Sequence, residues 1–129
     1  MNMHSECDLS GLRILVVEDE HLPAMAIEAL LLHLGCEFSG PIATLEEALA
    51  AVADEALDGV ILDVNLCGKR SDPVAAALIA RGIPFIVLTG DISQCLDNFG
   101  DMPRLFKPVP VDPLIDAMLE TFLSSAARG

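Results

Sequence analysis

The chain of 129 residues has a hydrophobic content of 53% and a formal net charge of −13. This composition excludes a disordered chain, and the length suits one domain that buries its core without disulfide or metal staples. Acidic residues number 20 against seven basic ones, which form no stripe, so we expect no direct binding to nucleic acid.

Strand-like and helix-like patterns alternate through the first half of the chain. A strand near Arg13–Val17 precedes a helix over about His21–Leu34, which a glycine ends. Residues 37–41 read as a weak strand. Thr44 is a good N-cap, with acidic residues in the first turn of a second helix that runs to about Asp54.

The third strand is predicted at Gly59–Asp63, and a loop follows over residues 65–72. Pro73 suits the first position of the next helix, which we expect Asp72 to cap and Gly82 to end. Proline is common at that position because the amide hydrogen it lacks would have no partner there.

The fourth strand is predicted at Phe85–Thr89, after which the pattern fades. Residues 92–98 make two turns of helix at most, so the fourth helix is expected to be shortened or degenerate. Arg104–Phe106 is a short fifth strand. Asp112 and Pro113 then open a last helix with a wide apolar face.

Polar groups stand at the ends of four of these strands. Five strand–helix units with apolar strands favour an α/β fold, a doubly wound parallel sheet in the order 2-1-3-4-5. The ligand crevice of such a sheet lies at the carboxyl ends of strands one and three. The groups expected to meet at that edge are Glu18, Asp19, Asp63, Thr89 and Lys107.

Three carboxylates within about 4–5 Å would repel one another by a few kcal/mol per pair at an effective dielectric near 20. Raised pKa values or a bound cation would relieve the repulsion, and Mg²⁺ suits a site of carboxylate and phosphate oxygens. An anionic Asp63 could then attack phosphorus, while Thr89 and Lys107 could bind phosphoryl oxygens. The sequence therefore predicts a site for a divalent cation and a phosphoryl group.

At these residues the chain resembles the receiver domain of two-component response regulators, over residues 12–123. The resemblance implies a flavodoxin-like fold in which Asp63 accepts a phosphoryl group from a histidine kinase, and Thr89 and Lys107 bind its oxygens. It also implies a cis peptide bond between Lys107 and Pro108. The Mg²⁺ ligands that it implies are Glu18, Asp19, Asp63 and the main-chain carbonyl of Asn65.

The resemblance gives Asn65 and Asp91 an influence on the hydrolysis of the aspartyl phosphate. It fails at Arg104, where the family usually has a tyrosine or phenylalanine that relays phosphorylation. Arg104 is either an exposed arginine of an edge strand or a partner of Asp91 in one state only. The aromatic relay is therefore in doubt, and Arg104 is a candidate modulating residue.

The segments Pro84-Phe85 and Thr89-Gly90 resemble a subgroup of stand-alone bacterial receivers with a Phe…Thr-Gly motif, although the usual tyrosine after the glycine is absent. The subgroup implies a single-domain regulator without an output domain. Such a protein is no enzyme beyond its own phosphorylation and dephosphorylation. It signals, or shuttles phosphate, through a downstream protein partner or a phosphotransferase.

Two surfaces could bind partners. The first helix contains more leucines than one buried stripe needs, and they serve either the core or, with the loop before the last helix, the docking of a histidine kinase. These leucines are Leu30, Leu31, Leu32 and Leu34. The apolar face of the last helix belongs to the core or to a homodimer. Lys69 and Arg70 are either solvated or steer an anionic phosphodonor.

The ends of the chain and its cysteines bear on the cellular compartment of the protein. Residues 1–11 lack the apolar run of a signal peptide, and no apolar stretch is long enough to span a membrane. We expect flexible ends at 1–11 and 124–129 and a cytoplasmic protein that does not bind membranes. Four scattered cysteines predict reduced thiols, of which Cys67 is the one to test for redox sensitivity.

Two other functions stay open. A metal-dependent phosphatase with an aspartyl nucleophile would need a second aspartate two residues after Asp63, where this chain has Asn65. A receiver-fold interaction module that phosphorylation does not switch is the other alternative. The intact Asp63, Thr89 and Lys107 oppose it, whereas Arg104 keeps it open.

Overall fold

A five-stranded parallel sheet forms the centre of the computed structural model, which describes residues 9–123. The strand order is β2-β1-β3-β6-β7, so the predicted doubly wound order is confirmed. These strands are β1 (Arg13–Val17), β2 (Glu37–Ile42), β3 (Gly59–Asp63), β6 (Phe85–Thr89) and β7 (Arg104–Phe106). A separate antiparallel hairpin joins β4 (Asn65–Leu66) to β5 (Lys69–Arg70).

Helices cover both faces of the sheet. They are α1 (His21–Leu34), α2 (Leu45–Asp54), α3 (Asp72–Arg81) and α4 (Val111–Met118), which continues as a π-helical turn over Leu119–Leu123. Alternate strand residues face opposite sides, so one core packs against α2 and α3 and the other against α1 and α4. No helix within the described residues is long and apolar enough to cross a bilayer.

Local chemistry explains where the helices begin and end. The Thr44 hydroxyl accepts a hydrogen bond from the amide of Glu47 at 3.2 Å and donates to its carboxylate at 3.0 Å. The first of these bonds satisfies an amide at the start of α2, so the predicted N-cap is confirmed. Gly35 ends α1 with φ of 80°, a left-handed conformation that glycine adopts without strain.

Ser71, rather than the predicted Asp72, stands at the cap position of α3. Asp72 is the first helical residue, and its carboxylate binds Arg70 with two hydrogen bonds of 2.7 and 3.0 Å. The Ser71 hydroxyl donates to the main-chain oxygen of Asp63 at 2.5 Å. The prediction about Asp72 was wrong because the ion pair engages the carboxylate that would have capped the helix.

The loop predicted at residues 65–72 contains the β4–β5 hairpin. Its two central residues, Cys67 and Gly68, both have positive φ, 50° and 83°, as a tight two-residue hairpin turn requires. Between β6 and β7 the only helical turn among the described residues is a 3₁₀ turn at Asp97–Phe99, so the shortened fourth helix is confirmed.

The last helix begins at Val111, one residue before the predicted start. The predicted flexible ends lie outside the described residues except for 9–11, where Leu9 is buried and Gly11 donates to the Gly35 oxygen at 2.9 Å.

Candidate functional site

Asp63 ends the central strand β3, which is buried throughout between β1 and β6. Its side chain is almost fully buried, with 4% of the residue's surface exposed. The amide of Asn65 approaches one carboxylate oxygen at 3.4 Å. The strand end and the loop after it therefore hold this carboxylate at the carboxyl edge of the sheet, where α/β proteins bind ligands.

The ammonium group of Lys107 lies among three carboxylates. Its Nζ is 3.0 Å from Asp63 Oδ2, 2.8 Å from Glu18 Oε1 and 2.8 Å from Glu20 Oε1. The Lys107 amide also donates to the main-chain oxygen of Thr89 at 2.9 Å, and the peptide bond to Pro108 is cis, as expected. The single positive charge of Lys107 thus offsets part of the negative charge of the cluster.

Glu20 completes this cluster and was not among the predicted site residues. Carboxylate oxygens of Glu18, Glu20 and Asp63 lie within 4.8 Å of one another. The backbone at Glu20 is still extended (φ −92°, ψ 133°), and residues two apart along an extended chain project to the same side. That alternation in the run Glu18-Asp19-Glu20 is the signal that could have identified Glu20.

Asp19 projects away from the cluster for the same reason. Its Oδ2 accepts a hydrogen bond of 3.0 Å from the amide of Cys67, at the tip of the β4–β5 hairpin. Asp19 therefore joins the end of β1 to the loop that follows Asp63. Its predicted role as a metal ligand stays a prediction.

The pKa of Asp63 is raised to about 8, because burial and, after it, the neighbouring Glu18 carboxylate outweigh the opposite effect of Lys107. Burial alone would lower the pKa of Lys107. Hydrogen bonds to Glu18, Glu20 and Asp63 outweigh that effect, and the pKa of Lys107 is raised. The lysine is therefore charged, whereas Asp63 holds a proton at neutral pH unless a further cation approaches.

The Thr89 hydroxyl at the end of β6 is engaged by a residue that we did not predict. It donates to Gln94 Oε1 at 2.6 Å, lies 3.2 Å from the carbonyl oxygen of Asp91, and accepts from the Asp91 amide at 3.1 Å. Within the described chain this hydroxyl makes no hydrogen bond to the side chain of Asp63 or Lys107. No sequence signal identifies Gln94, because residues 91–96 have no periodic pattern.

The other two predicted modulating residues are Asp91, in the loop after β6, and Arg104, the first residue of β7. The Asp91 carboxylate accepts hydrogen bonds from the hydroxyl and amide of Ser93 at 2.6 and 2.9 Å, which lower the pKa of Asp91. Arg104 donates to the carbonyl oxygens of Gly100 and Met102 at 2.7 and 3.4 Å. In this structure Arg104 is the exposed edge-strand arginine, and its pairing with Asp91 in another state stays a prediction.

The basic pair in the hairpin has specific partners. Lys69 lies 3.3 Å from a carboxylate oxygen of Glu46, whereas Arg70 binds Asp72 and also donates to the carbonyl oxygen of Cys95 at 2.8 Å. Because its guanidinium is engaged at both ends, Arg70 is not a freely solvated residue. Cys36, Cys67 and Cys95 are free thiols, and Cys36 is buried with a pKa raised by burial to about 11.

The leucines of α1 serve mostly the core. Leu31 is fully buried and Leu30 and Leu34 pack against the same cluster, whereas Leu32 is 67% exposed. Two further apolar side chains near the start of α1, Leu22 and Met25, are also exposed.

The acidic cluster fits a hard divalent cation. Its donors are all oxygen atoms, the ligands that Mg²⁺ prefers. Glu18 Oε1 is buried, and although it lies 2.8 Å from Lys107 Nζ, no described residue meets it with hydrogen-bonding geometry. This oxygen is a possible ligand atom for which a cation would compete with the ammonium of Lys107.

This fold and this strand-end site define a class: the chain belongs to the CheY-like receiver domains of response regulators. SdrG from Sphingomonas melonis Fr1 is 40% identical and superposes with a TM-score of 0.76 over 94% of this chain and 99% of SdrG. The similarity to the BeF₃-activated conformation of SdrG has a TM-score of 0.69, at 42% identity over 91% of this chain and 98% of that one.

Two other relatives bear on metal binding and on length. The receiver domain of a sensor histidine kinase from Pseudomonas aeruginosa PAO1 contains a magnesium ion in its active-site cleft; it is 25% identical, with a TM-score of 0.78 over 89% of this chain and 99% of that one. The transcriptional regulatory protein PdtaR of Mycobacterium tuberculosis H37Rv is 30% identical over 111 residues, 82% of this chain and 54% of PdtaR. The chain thus spans about half the length of the curated relatives it matches. No family model matches the sequence.

Proposed function

We propose that this receiver domain accepts a phosphoryl group on Asp63 from the phosphohistidine of a histidine kinase, in a reaction that requires Mg²⁺. One observation carries the proposal: a nearly buried aspartate at the end of the central strand lies 3.0 Å from the ammonium of Lys107 and beside the Glu18 carboxylate. This arrangement supplies a nucleophile and a positive charge for an incoming anionic group.

The proposed reaction requires a cation because the pKa of Asp63 is raised. A protonated carboxyl is a poor nucleophile, so Asp63 must lose its proton before it attacks phosphorus. When bound, the cation supplies positive charge that favours the ionised carboxylate and offsets the charge of the phosphodonor. The residues proposed to hold it are Glu18, Asp19, Asp63 and the main-chain carbonyl of Asn65, with Glu20 as a further carboxylate.

Phosphoryl transfer forms a bond between an Asp63 carboxylate oxygen and phosphorus while the bond from phosphorus to the kinase histidine nitrogen breaks. The imidazole nitrogen keeps the electron pair of the broken bond. Lys107 exchanges its contact with the Asp63 carboxylate for one with a phosphoryl oxygen. The Thr89 hydroxyl is proposed to donate to another oxygen, for which it must leave Gln94.

The kinase is proposed to dock on α1 and on the loop before α4. The exposed Leu22 and Met25 near the start of α1 provide apolar contact area beside the Glu18–Glu20 segment. The output is proposed to pass to a downstream protein partner or a phosphotransferase.

One experiment tests the proposed function against its two rivals. The protein is incubated with Mg²⁺ and a small phosphodonor such as acetyl phosphate, and intact mass and free phosphate are followed with Asp63→Asn as the control. A gain of one phosphoryl group that the control lacks supports the proposal. Rapid turnover of varied phosphoesters without accumulation would indicate a phosphatase. No uptake, even from a cognate kinase, would leave an interaction module.

A further inference from the structure

The hydrogen bond between Thr89 and Gln94 joins the phosphoacceptor site to the segment that replaces a fourth helix. At 2.6 Å it is short for two neutral groups. Gln94 is half-buried and lies between Ser93 and Cys95, ahead of the 3₁₀ turn at Asp97–Phe99. Within the described chain the hydrogen bonds of the Thr89 hydroxyl are all to Asp91 and Gln94.

A threonine hydroxyl has a single proton to donate. While that proton is donated to Gln94 Oε1, the hydroxyl cannot donate to a phosphoryl oxygen on Asp63. Binding of Thr89 to the phosphoryl group and its donation to Gln94 are therefore mutually exclusive. The Gln94 oxygen loses its donor at the moment when Thr89 turns to the phosphoryl group.

We propose that Gln94 is a positioning residue that withholds the Thr89 hydroxyl from Asp63 in the unphosphorylated protein and, when released, passes the change to residues 91–99. This inference rests on the proposed function of Asp63. It gives the receiver a route outward that does not require the aromatic side chain usually present where this chain has Arg104.

The segment that would receive the change is also held at its other end. Arg70 donates to the carbonyl oxygen of Cys95 at 2.8 Å and lies 5.7 Å from the centre of the Phe99 ring, and Asn98 donates to Asp72 at 3.2 Å. Residues 95–99 are therefore held by Arg70, by the bond from Asn98 to Asp72 and by the buried Leu96 and Phe99, whereas residues 91–94 are joined to Thr89 through Asp91 and Gln94. Loss of the bond to Gln94 would leave residues 95–99 in place and remove one of the two attachments of residues 91–94 to Thr89.

Two substitutions of Gln94 distinguish the effect of its acceptor oxygen from the effect of its side-chain length. Gln94→Met keeps the length but removes the acceptor oxygen, whereas Gln94→Glu keeps an acceptor. We expect Gln94→Met to raise the initial rate of phosphoryl uptake from acetyl phosphate about fivefold, the effect of losing one hydrogen bond of ordinary net strength. Gln94→Glu should react at the wild-type rate or more slowly. Ile92→Ala, at an 82% exposed position of the same loop, is the matched control and should leave the rate unchanged.

The decisive comparison repeats Gln94→Met in a Thr89→Val background. If Gln94 acts through the Thr89 hydroxyl, removing the hydroxyl abolishes the effect of the second substitution. Hydrogen exchange of the amides of residues 91–99 independently measures whether this segment is released. The unphosphorylated Gln94→Met protein should exchange these amides as rapidly as the phosphorylated wild type, with unchanged exchange in the central strands.

The outcomes distinguish failure of the proposed function of Asp63 from failure of the proposed role of Gln94. If the wild type gains no phosphoryl group on Asp63, the proposed function fails and this inference fails with it. If the wild type is phosphorylated but Gln94→Met reacts at or below its rate, the inference alone is overturned. An equal acceleration with and without the Thr89 hydroxyl overturns it as well, because Gln94 would then act by another path.

Discussion

Arg70 of the β4–β5 hairpin donates a hydrogen bond of 2.8 Å to the carbonyl oxygen of Cys95, in the segment that follows Thr89. The same guanidinium binds Asp72 with two hydrogen bonds. A single arginine therefore connects the loop after Asp63, the start of α3 and the shortened fourth helical segment. Since planar bidentate pairs are geometrically specific, this contact fixes the hairpin relative to that segment.

Asp72→Asn should destabilise the fold in a pH-dependent way. The hydrogen bonds from Arg70 hold the pKa of Asp72 below its usual range, so its stabilising effect is present above the unfolded value of about 3.9 and is lost as pH falls through the folded value. We expect the substitution to lower the unfolding temperature by about 2–5 °C at neutral pH, and by less as the pH approaches about 3. Thermal unfolding followed by circular dichroism measures both effects.

The matched control is Glu37→Gln, which removes the carboxylate of an exposed surface pair with Arg13 at 4.0 Å. It should leave the unfolding temperature unchanged. A pH-independent effect of Asp72→Asn would show that packing, rather than the ion pair with Arg70, accounts for the loss.

Asp63→Asn should stabilise the metal-free protein. The folded pKa of Asp63, about 8, lies above the unfolded value of about 3.9, so between these values the folded protein holds a proton that the unfolded chain has lost. The contribution of Asp63 to stability therefore falls as pH rises from about 4 to about 8 and stays low above that. Urea unfolding across this range should show a falling free energy for the wild type and a smaller fall for the variant. A less stable variant at about pH 8 would contradict the raised pKa.

Lys107→Met should have opposite effects on two measured quantities. It removes the positive charge that lies 3.0 Å from Asp63 and 2.8 Å from Glu18, so Mg²⁺ no longer competes with an ammonium for these oxygens. We expect calorimetric titration to show Mg²⁺ binding tightened about tenfold. Phosphoryl uptake should nevertheless fall, because a phosphoryl oxygen loses its cationic partner. Weaker Mg²⁺ binding by the variant would show that Lys107 supports the metal site instead of competing with it.

Gly59→Ala should destabilise the core of the fold. A methyl group at Gly59, in β3, would lie 2.5 Å from the Phe122 ring, which is itself buried. Overpacking of this kind costs about 1–3 kcal/mol of the free energy of unfolding, measurable by urea titration. Gly90→Ala is the control, since nothing lies within 4 Å of the added group and the stability should be unchanged. Equal stability of the two variants would mean that Phe122 moves without cost.

The sequence predicted best where one local pattern decides the structure. The end of α1 follows from Gly35, and the order of the sheet follows from alternating strands and helices with apolar strands. The prediction that Asp63, Glu18 and Lys107 lie together rested on their positions at strand ends, because parallel strands bring their carboxyl ends to one edge of the sheet. The structure places these three side chains in contact.

Contacts that depend on the path of a loop could not be predicted in this way. The engagement of Thr89 by Gln94 arises in a stretch without periodicity, and the contact of Asp19 with Cys67 depends on a hairpin with two positive φ values. Glu20 was missed because the resemblance assigned the metal site to the pair Glu18 and Asp19, whereas an extended backbone sends alternate side chains to opposite sides.

The most direct test of the account locates the phosphoryl group on the chain. After incubation with Mg²⁺ and acetyl phosphate, borohydride reduces an aspartyl phosphate to homoserine with release of phosphate, and peptide mass spectrometry identifies the altered position. The account predicts homoserine at residue 63 and at no other aspartate, dependent on added Mg²⁺. Reduction at another carboxylate, or an unmodified Asp63 in protein that has gained a phosphoryl group, would contradict it.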